Sequence, residues 1–376
     1  SAATRSYLVL MLLLAAAALA VTPPTPDWMG TLYADKPDTR LTSVVIPGTH
    51  DSGAFKIDTD GKCKVTAIAG ANQAMTAAGK GNPCGAGKLS KAQAQNFTGQ
   101  LNGGIRYLDM RLGVPENKVV SAKKAGKKLS NKAAAKVPIV LQHTFTSLRF
   151  TKGLQQIVSF AKAHPREQII LDFQHIDLTG KKKIDKYYTS AIDKILRTYK
   201  VSGSTVCSRA WTSSVIPDPV QATFRQAWDA NRNILVMYAK GELPKNSCYR
   251  ARENYLYSPW PNTEDPAVST SANTGYLQAR KDALAGSQAC SVSGGNQCGF
   301  FVSQLQLSMG LSSQIQCLGG SRTQNCSLLD LAQLRNPTAV QDMTGWDAQG
   351  MPLNISIVDF YEVSSTAAQL IALNTD

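Results

Sequence analysis

The sequence predicts an α/β fold, an irregular (β/α)8 barrel of the TIM type, and two observations carry that expectation. Short, nearly continuous apolar runs alternate with amphipathic stretches, the pattern of parallel strands covered by helices. The unusual polar residues fall where those runs end, which is where a parallel barrel gathers its active groups.

The expected strands are 41–46, 105–111, 137–142, 168–173, 233–238, 300–305 and 354–360. Between them, Leu154, Ile157, Val158 and Ala161 share one helical face, as do Ile184, Tyr188, Ala191, Ile192 and Ile195. Asp218-Pro219 offers N-cap and first-turn chemistry for a helix reaching Trp228. Neither an internal repeat nor a long linker divides residues 21–376, so one barrel domain with embellishments is expected. A hydrophobic content of 43% is enough to fill its core.

Residues 1–20 read as a signal peptide. Arg5 precedes the unbroken apolar run Tyr7 to Val21, and Ala18-Leu19-Ala20 ends it with small residues. A membrane span needs about 20 residues, so a retained anchor is the alternative and a secreted, extracellular chain the expectation. All eight cysteines lie beyond this segment, and an even number fits four disulfides made in an oxidising compartment. Their clustering favours the local pairs Cys63 with Cys84, Cys207 with Cys248, Cys290 with Cys298 and Cys317 with Cys326, although spacing alone leaves connectivity open. None of their spacings resembles a zinc site. Asn96, Asn325 and Asn354 begin glycosylation sequons, and the third falls in an expected strand and is read as unused.

The formal charge of +14 is uneven, because the segment 118–136 holds seven lysines and no acidic residue. This Lys-rich loop has two readings, a solvated excursion or a transient contact with an anionic membrane surface, where each lysine contributes about 1 kcal/mol. No aromatic residue interleaves with the lysines and no binding motif accompanies them, so nucleic acid is not an expected partner. A second basic run, Lys181 to Lys183, reads as the solvated start of a helix.

The octapeptide Ile46-Pro47-Gly48-Thr49-His50-Asp51-Ser52-Gly53 runs an apolar strand into a tight turn that presents a His-Asp pair. Such a pair can exchange protons near neutral pH. Asp109 and Arg111 end the second expected strand, His143 the third, Asp172 and His175 the fourth, and Asp359 the last. Each alone is more often a capping carboxylate or a satisfied core histidine than a catalytic group; together they would line one rim. The remaining histidine, His164, reads as an ordinary helix terminus. Two imidazoles, two carboxylates to orient them and a guanidinium suit phosphodiester cleavage. One imidazole takes a proton from the attacking hydroxyl, the other gives one to the leaving oxygen, and the arginine neutralises the developing charge.

The chain resembles the phosphatidylinositol-specific phospholipase C X-domain family. Ile46 to Lys56 resembles the opening motif of the secreted bacterial enzymes, Leu101 to Arg111 the second motif, and Ile139 to His143 the segment with the second catalytic histidine. Ile169 to His175 and Trp260 to Thr263 resemble the eukaryotic X-domain-only members, and Val358-Asp359-Phe360 the closing strand. The resemblance spans residues 40–362 and implies a barrel phosphodiesterase.

By matching positions, it implies that His50 is the general base, held by Asp359, acting on the inositol 2-hydroxyl. His143, paired with Asp51, would be the general acid for the diacylglycerol oxygen. Arg111 would contact the phosphate, with Asp109 beside it. The implied first product is an inositol cyclic phosphate, which a slower step opens with water. Since calcium-dependent relatives place a metal where Arg111 stands, no metal or other cofactor is expected. The substrate would be a phosphoinositide or a glycosylated inositol lipid, met by a monomer. Asp172, His175, Lys240 and Tyr276 are the further candidates for binding it.

Gln174 stands where the bacterial members have a lysine that holds the ring, and Thr144 where a glycine is usual. Lys240 is the nearest substitute for their arginine beyond the fifth strand. Two alternatives remain: a retired member that binds inositol lipid or a surface partner without turnover, and a metal-dependent barrel phosphodiesterase. The second wants a cluster of carboxylate ligands near the first histidine, which the sequence lacks.

Overall fold

The structure, a computed structural model, describes residues 26–60, 62–70, 73–122, 130–239 and 248–375. Residues 1–20, Lys240 and the middle of the lysine-rich loop therefore lie outside the described residues.

Twelve strands are present among the described residues. They are β1 (Ile46–Thr49), β2 (Tyr107–Gly113), β3 (Val140–His143), β4 (Phe145–Arg149), β5 (Ile169–Asp177), β6 (Ile234–Tyr238), β7 (Arg250–Ala251), β8 (Leu256–Tyr257), β9 (Ser291–Val292), β10 (Gly295–Asn296), β11 (Phe300–Gln304) and β12 (Ile355–Val358). Eight of them run in the order β7-β6-β5-β2-β1-β12-β11-β8, every neighbour parallel. The order follows the chain around a barrel, with β12 returning to pair with β1. The ring is left open between β7 and β8, which are joined by the single helical turn Arg252–Tyr255 and are not paired. This is the irregular α/β barrel that the sequence predicts.

Period-2 alternation sorts the side chains into two layers. Ile46, Tyr107, Ile170, Leu235, Met237, Val302, Ile355 and Ile357 pack together with Trp28, Trp211 and Phe224, filling the interior. Their neighbours Leu108, Met110, Leu171, Phe173, Val236, Phe301 and Val358 pack outward. These meet Leu154, Ile157 and Val158 of the helix Phe150–Ala163, Ile192 and Leu196 of Lys182–Thr198, Leu277 of Pro266–Leu284 and Ala339 of Leu328–Ala348. The interior is tight at Gly48, where a Cβ would lie 2.8 Å from Ile357 Cγ2 and 3.0 Å from Tyr107 Cβ. At the N-terminal ends of the strands, Arg106 Nε donates to the Glu167 carboxylate at 2.7 Å, both side chains fully buried. Glu167 also accepts the Met29 and Gly30 N–H groups, tying the helix Trp28–Leu32 beneath the barrel.

Three expectations need correction. The strand expected over 41–46 begins only at Ile46: Leu41–Ser43 form a 3-10 turn, because Asn354 Nδ2 donates to the Leu41 and Val44 carbonyls and curls the chain before β1. The third expected strand is not a barrel strand; β3 pairs antiparallel with the C-terminal end of β2 and with β4, outside the parallel ring. The helix expected from Asp218 begins instead at Phe224, where Thr223 and Gln226 close a capping box. Asp218 accepts the Val220 N–H at 2.9 Å and closes a turn.

All four disulfides join the local pairs that clustering favoured, Cys63–Cys84, Cys207–Cys248, Cys290–Cys298 and Cys317–Cys326. No helix among the described residues is long and apolar enough to cross a membrane.

Candidate active site

The same alternation that fills the interior continues past the strand ends. His50 follows Ile46 and Gly48 on the inward face, Asp109 and Arg111 follow Tyr107, and Asp359 follows Ile355 and Ile357. In place of apolar side chains, a polar layer therefore caps the core. Asp51 reaches it through a left-handed turn residue (φ 43°), and its N–H donates to Asp109 Oδ2 at 3.0 Å.

His50 Nδ1 lies 2.8 Å from Asp359 Oδ1. Its Nε2 meets Arg111 Nη2 at 2.8 Å and Asp51 Oδ2 at 3.3 Å. His143 Nε2 lies 3.2 Å from the same Asp51 oxygen, so one carboxylate oxygen stands between the two imidazoles, whose centroids are 5.9 Å apart. The other nitrogen of His143 faces the Ser90 carbonyl at 3.0 Å. Arg111 pairs with Asp51 through Nε at 2.5 Å and with Asp109 through Nη2 at 3.2 Å.

These contacts push the two imidazoles apart in basicity. Burial alone would lower His50, but Asp359 and Asp51 outweigh it and hold the ring above its ordinary value. His143 is brought down to about 3 by burial, then by the positive charges of Arg111 and His50. Asp51 is raised to about 6, chiefly by burial, against the pull of Arg111 and His50. Burial also raises Asp359. Asp109 is lowered: burial opposes this, and Arg111 and His50 prevail.

His50, Asp51 and Asp109 offer ligand atoms within 4.8 Å of one another, a spacing that a cation could bridge. The Arg111 guanidinium lies among these same three groups, in contact with each, and supplies the positive charge there. A divalent ion would have to displace it.

The rim opens into a cavity of about 400 Å³ lined by His50, Arg111, His143, Gln174, His175 and Arg252, with Ser258, Trp260, Asn262, Gln304 and Ser308 among the residues facing them. His175 reaches the lining because β5 carries one extra residue against β2 between the pairs Asp109–Asp172 and Arg111–His175. Asp172 is fully buried below the lining, where Tyr107 Oη donates to it at 2.5 Å and Arg252 Nε at 3.0 Å. Tyr276 is not brought to the cavity; it packs on the helix Pro266–Leu284 against the outer core. Thr144, standing where a glycine was expected, does adopt a left-handed backbone (φ 61°), and Gln142 Oε1 accepts its N–H at 2.8 Å.

Sequence reasoning missed Arg252 and the amides Gln93 and Gln304. Arg252 follows a strand of two residues, too short to show a period. Gln304 could have been found, since it extends the inward set Phe300 and Val302.

An open parallel barrel with two histidines and an arginine at the C-terminal rim defines a phospholipase C-like class of fold. Comparison with known proteins points the same way. No family model matches the chain. It is 25% identical over 366 residues to PI-PLC X domain-containing protein 3 of Homo sapiens, covering 93% of each. To PI-PLC X domain-containing protein 2 of Homo sapiens it is 26% identical over 221 residues, covering 56% of this chain and 59% of that protein. Among solved structures, the phosphatidylinositol-specific phospholipase C from Listeria monocytogenes superposes with a TM-score of 0.51 at 18% identity, covering 93% of this chain and 98% of that one. A variant of the Staphylococcus aureus enzyme gives 0.54 at 15% identity, covering 94% and 98%. The solved structures speak for the fold. With the sequence relatives, they bear out the resemblance to the PI-PLC X-domain family.

Proposed function

We propose that the chain is a secreted phosphodiesterase that cleaves phosphatidylinositol or a glycosylated inositol lipid without a metal, through an inositol cyclic phosphate. One observation carries this reading: two imidazoles, His50 held by Asp359 and His143 by Asp51, flank a single buried guanidinium. A binding protein needs no such matched pair.

His50 donates Nδ1–H to Asp359, which leaves Nε2 as the proton acceptor. In the resting site Arg111 Nη2 occupies that nitrogen. A substrate phosphate draws the guanidinium onto its own oxygens and frees Nε2. The ring 2-hydroxyl then attacks phosphorus, its proton passes to His50, and the bond from phosphorus to the diacylglycerol oxygen breaks. His143, neutral in the resting site with its hydrogen on Nδ1, takes up a proton at Nε2 from solvent as the bound phosphate offsets Arg111, and delivers it to that oxygen. The products are inositol cyclic phosphate and diacylglycerol, and Arg111 stabilises the charge that builds on phosphorus. Gln174, His175 and Arg252 line the space left for the ring.

The four disulfides support an extracellular address, and the barrel's use of strands from β1 to β12 supports a single domain. A membrane face is supported by the helix Leu311–Gly319, which carries no charged residue and leaves Leu311 and Ile315 exposed one turn apart. Trp260, 52% exposed, stands at the cavity beside it, its Nε1 donating to Ser308 Oγ at 2.9 Å.

The test is to incubate the purified chain with phosphatidylinositol vesicles in chelator and assay inositol cyclic phosphate. Product is expected, and His50→Ala and His143→Ala should each lower its rate about a hundredfold or more. Lipid binding without product from any inositol lipid would mark the chain as a binder instead.

A further inference from the structure

Between β1 and β2, just beyond the Cys63–Cys84 disulfide, the segment Ser90–Gln93 touches both halves of the acid-base constellation. The Ser90 carbonyl faces His143 Nδ1 at 3.0 Å. Gln93 Nε2 donates to the carbonyls of His50 at 2.8 Å and Val358 at 3.1 Å. The carbonyl of Ala92 accepts the Phe360 N–H at 2.9 Å. Ser90, Ala92 and Gln93 are all buried.

The ends of β1 and β12 make such a clamp necessary. His50 N–H still donates to Val358 O at 3.0 Å, but the ladder stops there. One amide closes what the sheet leaves open, directly at the residue that carries the imidazole and at the residue before its carboxylate. On the other side, a carbonyl can only accept, so the Ser90 contact places the Nδ1 hydrogen of His143 and leaves Nε2 to face Asp51 and the cavity.

We infer that Ser90–Gln93 is a positioning brace that sets both imidazoles from one side, and that Gln93 is the positioning residue for the His50–Asp359 pair. Gln93 is uncharged and reaches backbone only through Nε2. The titratable and charged groups that face the His50 ring are the neighbouring Asp51, Asp359, Arg111 and, edge-on with its centroid 5.9 Å away, His143. A change in His50 titration on removing Gln93 therefore reports a displaced ring, not a lost charge. The kinetic consequence rests on the proposed phosphodiesterase reading; the titration does not.

The experiment is a 15N NMR titration of the imidazoles in the whole chain, free of substrate, alongside kcat and KM on phosphatidylinositol vesicles. Gln93→Leu should lower the His50 midpoint, because the ring moves off Asp359, and lower kcat about tenfold with KM within about twofold. If Gln93→Leu does not fold, Gln93→Asn, which withdraws the amide by one methylene, carries the same expectations. An unchanged His50 midpoint in the folded variant, with or without a lower melting temperature, overturns the brace. A parent chain without turnover would sink the phosphodiesterase reading and leave the titration to decide the brace.

Discussion

His50 and Asp359 are 309 residues apart in the chain and 2.8 Å apart in space. The parallel pairing of β1 with β12 brings them together, Thr49 lying opposite Val358 immediately before the two polar residues. Replacing Asp359 with Asn keeps the shape and removes the charge that lifts His50. The His50 midpoint should fall and turnover should drop about a hundredfold. NMR titration and vesicle assays check both, and an unmoved midpoint would show that Asp359 does not tune the ring.

His143 is expected to change protonation with site occupancy. Burial, Arg111 and His50 hold it down at about 3 in the open cavity, and a bound phosphate would supply the opposing charge. Saturating inositol 1-phosphate should raise its midpoint. The stability consequence has a definite sign: a depressed folded value means stability that is complete above the unfolded value of about 6.5 and is lost as pH falls toward the folded one. Acid unfolding followed by circular dichroism should be less steep over that window in His143→Asn; equal steepness would count against the assignment.

Membrane contact should depend on Leu311 and Ile315. Burying one such side chain is worth about 1.5–3 kcal/mol, so the double change to Ser should weaken sedimentation with mixed phosphatidylcholine and phosphatidylinositol vesicles by well over tenfold. Cleavage of a short-chain soluble substrate should be retained. A parallel loss of both activities would place the helix in the reaction itself.

The ion pair beneath the barrel bears on stability alone. Glu167→Ala strands Arg106 in a fully buried position and removes the acceptor for two N–H groups, which should cost about 3–5 kcal/mol in denaturant unfolding. The folded fraction should keep its kcat; a large loss of kcat per folded molecule would argue that the lower end of the barrel shapes the rim.

Much of this site was legible because the strand periodicity coincides with chemistry. Asp109, Arg111 and Asp359 extend inward-facing runs that a period of two reveals directly, and His50 follows a strand whose glycine marks a tight interior. What stayed hidden lacked either a period or a local sign. Arg252 follows β7, which is two residues long. Gln93 acts through backbone carbonyls far away in sequence. Asp218-Pro219 carries good helix-starting chemistry, but the better cap at Thr223 wins because Gln226 returns its bond. Tyr276 was chosen by residue type, and the helix that carries it turns it toward the outer core.

The pairing of β1 with β12 also sets a schedule. A chain emerging N-terminus first makes His50 early and Asp359 near its end, so most of synthesis passes with one member of the pair missing. Closing the ring across that distance is a late, non-local event. The imidazole proposed as general base thus lacks its Asp359 partner until the last strand docks, and a chain cut short before residue 355 would never acquire it.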